Sequence, residues 1–403
     1  MGVQKHTNLA SYALGNLFKY RIRSVAIVVA LVISTSLLCS TEFIHEGVQR
    51  DIDYSLEEGP DIIVQQLEAG RQTTIPMSWV GNISQVPGVK IVLPRVWGYA
   101  DVGSGKFLTI MGINATPYQN IADAIGTRIQ EGEFLQEGAT RTIVIGQGIV
   151  DLMNAASNPI NVGVGSVISL IAHNQSLIEF TIVGIFETDS NIYSYDMVLT
   201  DIQSARELFG ISKDKCMDIA VWTEAGSYLS DVAFRIENRL IDSRVLSQDA
   251  LKDAMLRTYG DKAGIVALLW TVLLLTVLLL AFTVSSAGSD EARREVGLLK
   301  ALGFDTVDIL EIRMIESLIQ SLLGASLGIS ISIIYTFGLG APGLAGLLLG
   351  WDLVLLNGGI PLMISIATLF LVYSMALIPI LVATVIPAWR NAITEPDIVL
   401  RGI

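Results

Sequence analysis

The sequence predicts a membrane protein: four transmembrane α-helices in a one-plus-three arrangement, with a large α+β extracytoplasmic domain between spans one and two. Two observations carry this. Of 403 residues, 51% are hydrophobic and 16% charged, against about 25% charged in an ordinary soluble protein, and the apolar residues are gathered into long uncharged blocks. The net charge of −13 is gathered too. Residues 44–262 hold 16 Lys and Arg against 28 Asp and Glu, so one segment carries nearly all of it.

Taken in order, residues 1–23 form a basic cytosolic segment with Lys5, Lys19, Arg21 and Arg23 and no acid. Within it Leu9, Ala13 and Leu17 recur every four residues, the pattern of an interfacial helix lying on membrane lipid. Residues 24–43 are the first span, uncharged from Ser24 to Thr41. A cleaved signal peptide is not expected, because the apolar stretch begins only at Ser24 and no clean small-x-small site follows it. "SLLC" at 36–39 lacks the small residue a lipoprotein site needs before Cys39. The second span is 263–289, followed by a cytosolic helix and turn (290–308), the third span (309–338), an outer loop (339–360), the fourth span (361–386) and a cytosolic tail (387–403). Each span approaches or exceeds the roughly 20 residues needed to cross about 30 Å of hydrocarbon. Arg293, Arg294 and Lys300, with the amino-terminal basic residues, place those segments inside, both termini in the cytosol and the acidic domain outside.

The external domain, 44–262, is large enough to bury its own core and to divide into two lobes. Strands are predicted at 90–100, 106–113, 141–146, 166–172 and 179–187, and a helix over 227–240. No catalytic or metal site emerges. "HEGVQ" (45–49) has Gln49 where a zincin needs its second His. Glu42 and His45 read as a polar collar above the membrane, and His6 and His173 stand isolated. Cys216 has no partner cysteine in its domain, so no disulfide framework or zinc site forms. "GQG" (146–148) marks a turn after a strand. Sequons at Asn82, Asn114 and Asn174 all fall in this domain. No GxxxxGK[ST] loop occurs, so no cofactor is expected in this chain.

The stretch "EARREVGLLKALGFD" (291–305) interrupts the apolar blocks. It is built of helix formers, with Gly303 placed to end the helix and Asp305 and Asp308 to cap the next. Val296, Leu299 and Leu302 make one side apolar. A hairpin serving only orientation would have no use for such a stripe, so a docking surface for a cytosolic partner is expected. Further on, Gly324 and Gly328 form a GxxxG pattern for close helix packing, at a dimer interface or against the fourth span. Arg313 and Glu316, one turn apart at the entry to the third span, form an expected ion pair.

"EARREVGLLKALGFDTVDIL" is similar to the cytoplasmic loop of the FtsX/MacB family of ABC transporter permeases, with Glu291, Glu295, Val296, Gly297, Lys300, Ala301, Leu302 and Gly303 matching its E-x-x-x-E-(I/V)-G-x-x-(R/K)-A-L-G pattern. "NLFKYRIRS" (16–24 region), "VPGV" (86–89), "FTIVGIF" (180–186) and the tail "PAWRNAITEPDIVLR" (387–401) resemble further family motifs in the same order. Two departures are Asn391 before Ala392 and Phe304-Asp305 after Gly303. The resemblance implies a homodimeric permease on the cell membrane, bound by two copies of a cytosolic ABC ATPase subunit that supplies ATP and Mg. It implies mechanotransmission: ATP-driven ATPase dimerisation moves the external domains to export, extract or activate a substrate. An extracytoplasmic substrate or an adaptor is the further partner to be considered. It assigns docking on the ATPase to Glu291, Arg294, Glu295, Val296, Leu299, Lys300, Leu302 and Gly303. The permease itself is then no enzyme, and no nucleic-acid partner is expected. The competing expectation is a membrane-anchored receptor whose external domain binds a ligand without an ATP-driven step.

Overall fold

A computed structural model of the chain describes residues 2–101, 107–125, 128–154, 162–240, 242–260, 263–287, 289–349 and 360–393. The chain opens with α1 (Gly2–Lys19) and α2 (Arg21–Glu57). There follow β1 (Ile62–Glu68), β2 (Arg71–Thr73), β3 (Ile75–Pro76), α3 (Ser78–Ile83), β4 (Val89–Asp101), β5 (Phe107–Ile113), α4 (Ala115–Ile125), β6 (Arg128–Gly132), β7 (Thr142–Gly146) and α5 (Gln147–Asn154). Next come β8 (Val167–Ile171), β9 (Leu177–Glu187), α6 (Asn191–Asp196), β10 (Met197–Asp201), α7 (Ile202–Phe209), β11 (Lys215–Cys216), β12 (Asp218–Thr223), α8 (Leu229–Arg239), β13 (Ser243–Ser247) and α9 (Gln248–Gly260). The remainder is helical: α10 (Ala263–Ala287), α11 (Ser289–Ala301), α12 (Thr306–Ile333) with a π turn at Ile334–Gly338, α13 (Leu344–Leu349) and α14 (Ile366–Ile393).

Two compact units result, one of Met1–Glu46, Lys262–Leu344 and Leu362–Ile403, the other of Gly47–Asp261 and Ala345–Pro361. Among the described residues the stretches Arg21–Glu57, Thr306–Gly338 and Ile366–Val385 are long and apolar enough to cross a membrane, and α10 contributes the shorter apolar run Val266–Thr276. The α2 helix runs to Glu57, 14 residues beyond the expected end of its span at 43. Its later turns carry Glu46, Arg50, Asp51, Asp53 and Glu57; polarity ends an apolar span without ending a helix, since these residues keep helical propensity. The α14 helix starts at Ile366, after Pro361, and continues through Pro379 and Pro387. Each proline forfeits one backbone bond, a loss that spanning helices tolerate.

Small residues let these helices approach closely. Ile27 and Leu31 of α2, Ala325 of α12, and Ala376, Ile380 and Ala383 of α14 form one buried cluster. Gly324 and Gly328 face α2, which corrects both sequence-based readings of the GxxxG pattern. A Cβ at Gly324 would stand 2.6 Å from Leu31 Cβ, and one at Gly328 would stand 1.9 Å from Thr35 Oγ1. The contact is thus intramolecular and made with the first long helix. Hydroxyls line both faces of α12: Ser40 of α2 and Ser332 are 2.9 Å apart, and Ser317 lies 2.7 Å from Thr384 of α14. Buried between apolar surfaces, such paired hydroxyls satisfy each other where water cannot.

The second unit is α/β. Its main sheet has the order β13-β1-β12-β4-β5-β10-β7-β9-β6, with β2 on β1 and β8 on β9. β5 with β10 and β7 with β9 run parallel, and the other pairs antiparallel. The alternation in β9, where Ile178, Phe180 and Ile182 are buried and Leu177, Glu179 and Thr181 are exposed, is that of a half-buried strand. One core packs Ile62, Val64, Ile219 and Val221 under α8, through Val232 and Ile236. Others lie around Ile143, Ile145, Phe180 and Ile182, and around Met111, Phe134 and Phe186. Gly146 ends β7 directly before α5, without the expected turn. A Cβ there would lie 2.1 Å from Ser194 O, and one at Gly148 would lie 2.4 Å from the Tyr195 ring, so both glycines admit the close approach of α6.

Candidate functional site

At one end of the helical unit, α1, α11 and the start of α12 meet. Leu9 and Ala13 of α1, Val296 and Leu299 of α11, and Ile309 and Ile312 of α12 share a buried cluster, with Phe304 and Ile315 packed against it. The spacings are i,i+4 on α1 and i,i+3 on the other two, so each helix commits one face. The α11 helix then stops in a Schellman motif. Gly303 has φ +92°, its N–H donates to Lys300 O and the Phe304 N–H donates to Leu299 O, both at 3.0 Å. That ending also turns the Phe304 ring into the cluster. Asp305 begins α12, and its N–H donates to Asp308 Oδ2 at 3.3 Å.

A polar network rims the cluster. Lys5 Nζ lies 2.7 Å from Asp308, and His6 Nδ1 lies 2.5 Å from Glu311. Arg313 bonds Glu316 at 2.7 Å and Glu295 at 3.1 Å. Tyr12 donates to Glu295 at 3.1 Å, and Asn16 donates to Glu316 at 3.0 Å. Burial first, and the Glu295 charge second, push the Tyr12 hydroxyl above its ordinary pKa, so it remains a donor. Arg313 therefore links α11 to α12 while Tyr12 and Asn16 tie both to α1. Removing one partner of such a buried ion pair typically costs about 3–5 kcal/mol. The network fixes the rotation of α11 about its own axis.

That rotation decides which side is available. Val296 and Leu299 are only 5% and 7% exposed, and Glu295 is buried by its bonds to Tyr12 and Arg313. The expectation that these three belong to an open docking surface is corrected: α1 supplies the partner face that the sequence reading had given to the membrane surface. Leu298 and Leu302, one turn apart, are instead 60% and 73% exposed. Lys300 is half-buried and Gly303 exposed. The side chains of Glu291 and Arg294 lie outside the described residues. On α1, Leu9 and Ala13 turn to the cluster, and Leu14 and Phe18 are exposed.

Sequence reasoning located Arg313 and Glu316 by their spacing and missed Lys5, His6, Tyr12, Asn16 and Leu298. His6, isolated in the sequence, finds Glu311 across 305 positions. The available signal was charge complementarity, adjacent basic residues at 5 and 6 against acids one turn apart at 308 and 311. Among the described residues no group of three or more His, Cys, Asp and Glu is placed to hold a metal.

Comparison with known proteins covers nearly the whole chain. Residues 24–239 match the model of the MacB-like periplasmic core domain, and residues 266–396 that of the FtsX-like permease C-terminal domain. An ABC transporter permease of Methanocaldococcus jannaschii is 24% identical over 360 residues, 82% of this chain and 84% of that one. Among solved structures, the periplasmic region of MacB from Actinobacillus actinomycetemcomitans is similar at 12% identity and a TM-score of 0.35, covering 51% of this chain and 97% of that one. The extracellular domain of the noncanonic ABC-type transporter YknZ from Gram-positive bacteria is similar at 14% identity and a TM-score of 0.33, covering 46% and 99%.

Proposed function

The chain belongs to the FtsX/MacB family of ABC transporter permeases, multi-pass membrane proteins with a large domain outside the membrane, and from that premise we propose that it transmits the work of a separate ATPase to its external domain. In this reading α2, α10, α12 and α14 are four spans, the termini and α11 are cytosolic, and Gly47–Asp261 faces outward. A cytosolic ABC ATPase subunit binds ATP and Mg and grips the Leu298–Leu302 face beside Lys300 and Gly303. Two copies of the permease work as a homodimer, and the external domains act on a substrate for export, extraction or activation.

The carrying observation is that α11 is clamped on two sides and still presents two large apolar side chains a turn apart. A clamped helix transmits force into α1 and α12, where a loosely held one would swing. Exposed leucines on that helix are suited to a protein partner. The basic residues of α1 and α2, from Lys5 to Arg23, support the inward orientation of this end.

The test is co-expression with a candidate cytosolic ABC ATPase subunit from the same genome, followed by co-purification and ATP hydrolysis. Leu302→Glu should reduce recovered ATPase about tenfold or more, since a hot-spot truncation costs about 2 kcal/mol, and should remove any stimulation of hydrolysis. A variant complex as abundant and as active as the parent would overturn the docking assignment and favour a receptor that works without ATP.

A further inference from the structure

The external unit encloses a cavity of about 440 Å³ between the end of α2, the strands β4, β5 and β10, and α9. The volume falls within the range of small-molecule sites. Its wall is apolar and aromatic, with Trp97, Tyr99, Tyr118, Tyr193, Met111 and Met197 among the lining residues. Trp97 and Tyr99 stand edge to face, 6.0 Å between centroids. Methionine beside aromatic faces makes an adaptable surface rather than one shaped to a single rigid ligand.

Among the described lining residues three are formally charged, Glu58, Arg95 and Asp218. Arg95 and Asp218 neutralise one another: Nε to Oδ1 is 2.7 Å, Nη2 to Oδ2 is 2.9 Å, and Trp97 Nε1 donates to the same Oδ2 at 2.9 Å. Burial opposes the charge on Arg95, but Asp218 outweighs it and lifts the guanidinium pKa further. Glu58 differs. It accepts from the Thr188 hydroxyl and from the Asp189 N–H, both neutral donors, and no described residue forms a salt bridge with it. Burial first, and then the like charges of Asp189 and Asp51, raise its pKa. The described wall thus carries one net negative charge set among π faces.

We propose that this cavity binds a small lipophilic cation, an aromatic ammonium or phosphonium held by the Glu58 carboxylate and the faces of Trp97 and its neighbouring tyrosines. Aromatic faces attract cations most strongly where water is excluded, and the half-buried Glu58 carboxylate, which has no salt-bridge partner among the described residues, is stabilised by acquiring a counter-ion. An anion meets Glu58 with no compensating free cation among the described lining residues. A neutral ligand of the same shape gains the apolar contact alone. The acidic domain around it, 28 Asp and Glu against 16 Lys and Arg, raises the local concentration of cations. This assignment stands apart from ATPase docking and needs no ATPase to be tested.

The full chain in phosphatidylcholine nanodiscs is titrated with berberine, a flat aromatic quaternary ammonium, and with the neutral 1-N-phenylnaphthylamine, each followed by its fluorescence. Saturable berberine binding, at least tenfold tighter than that of the neutral probe, is expected. Glu58→Gln should weaken berberine about tenfold and leave the neutral probe unchanged, and Leu251→Trp, filling the cavity from α9, should remove both. Equal affinity of the wild-type chain for the two probes overturns the proposal even where Glu58→Gln fails to fold. Undiminished berberine binding in either folded variant overturns it as well.

Discussion

Cys216 sits at the edge of the external core with no exposed surface, its thiol directed at Ile75 O, 3.8 Å away. Burial, and then Asp218, push that thiol up to about 12, so almost none is thiolate at pH 8. The peptide carrying Cys216 should therefore resist N-ethylmaleimide at pH 8 in the native chain and react fully in denaturant, as read by mass spectrometry. Modification of the native chain would show that this core opens. Glu58 makes the second residue-scale prediction. Its folded pKa lies above the unfolded value of about 4.3, so the folded state holds its proton to higher pH than the unfolded chain does. Stability from this group falls as pH rises from the unfolded value through the folded one, and the cost persists above both. Glu58→Gln should accordingly raise the unfolding midpoint at pH 7.5 relative to wild type, and the difference should close below about pH 4. An equal or lower midpoint at pH 7.5 would show that the bonds to Thr188 and Asp189 outweigh the burial. Local residue relations such as Arg313 with Glu316 could be read from spacing. The bonds from Tyr12 and Arg313 to Glu295 could not, because they join positions far apart in sequence and depend on how α1 folds back.

The two glycines of α12 and the faces of α11 set the predictions at the scale of elements. Gly328→Val drives a side chain into Thr35 Oγ1 and the Val32 carbonyl, an overpacking that costs about 1–3 kcal/mol or more. The full chain in detergent should unfold at a lower temperature, whereas Gly346→Ala, with nothing within 4 Å of its Cβ, should change little. Equal unfolding of both would remove α12 from its assigned contact with α2. On α11, Leu299→Asp buries a carboxylate in an apolar cluster, a change of several kcal/mol, and should lower the yield of folded protein; Leu298→Asp, on the exposed side, should not. The helical period of α11 was legible in the sequence, as was its Gly303 stop. Which face was open was not, for an amphipathic pattern gives the width of an apolar face and not the identity of what covers it. The same limit explains the reading of Gly324 and Gly328, where the motif announces a close neighbour without naming it.

At the scale of the molecule, the division into apolar helices and an acidic outer domain was written in composition. Five strands of the external unit stood out through β-branched runs: β4, β5, β7, β8 and β9 lie close to their expected limits. The sheet order did not stand out, because β1 pairs with β12 through Ile62 opposite Val221, partners whose adjacency no local pattern encodes. The cavity was invisible for the same reason, its wall being drawn from residues spread between Ser55 and Met255. The proposed coupling gives this architecture a motor side and a working side, and its central claim is that α11 is the part the motor touches. The most direct measurement places a photocrosslinking amino acid at Leu298, Leu299 or Leu302 in turn, in cells that also make the partner ABC ATPase. Positions 298 and 302 should yield a crosslinked product containing the ATPase and position 299 should yield none; crosslinking at 299 alone, or at none of the three, would contradict the account.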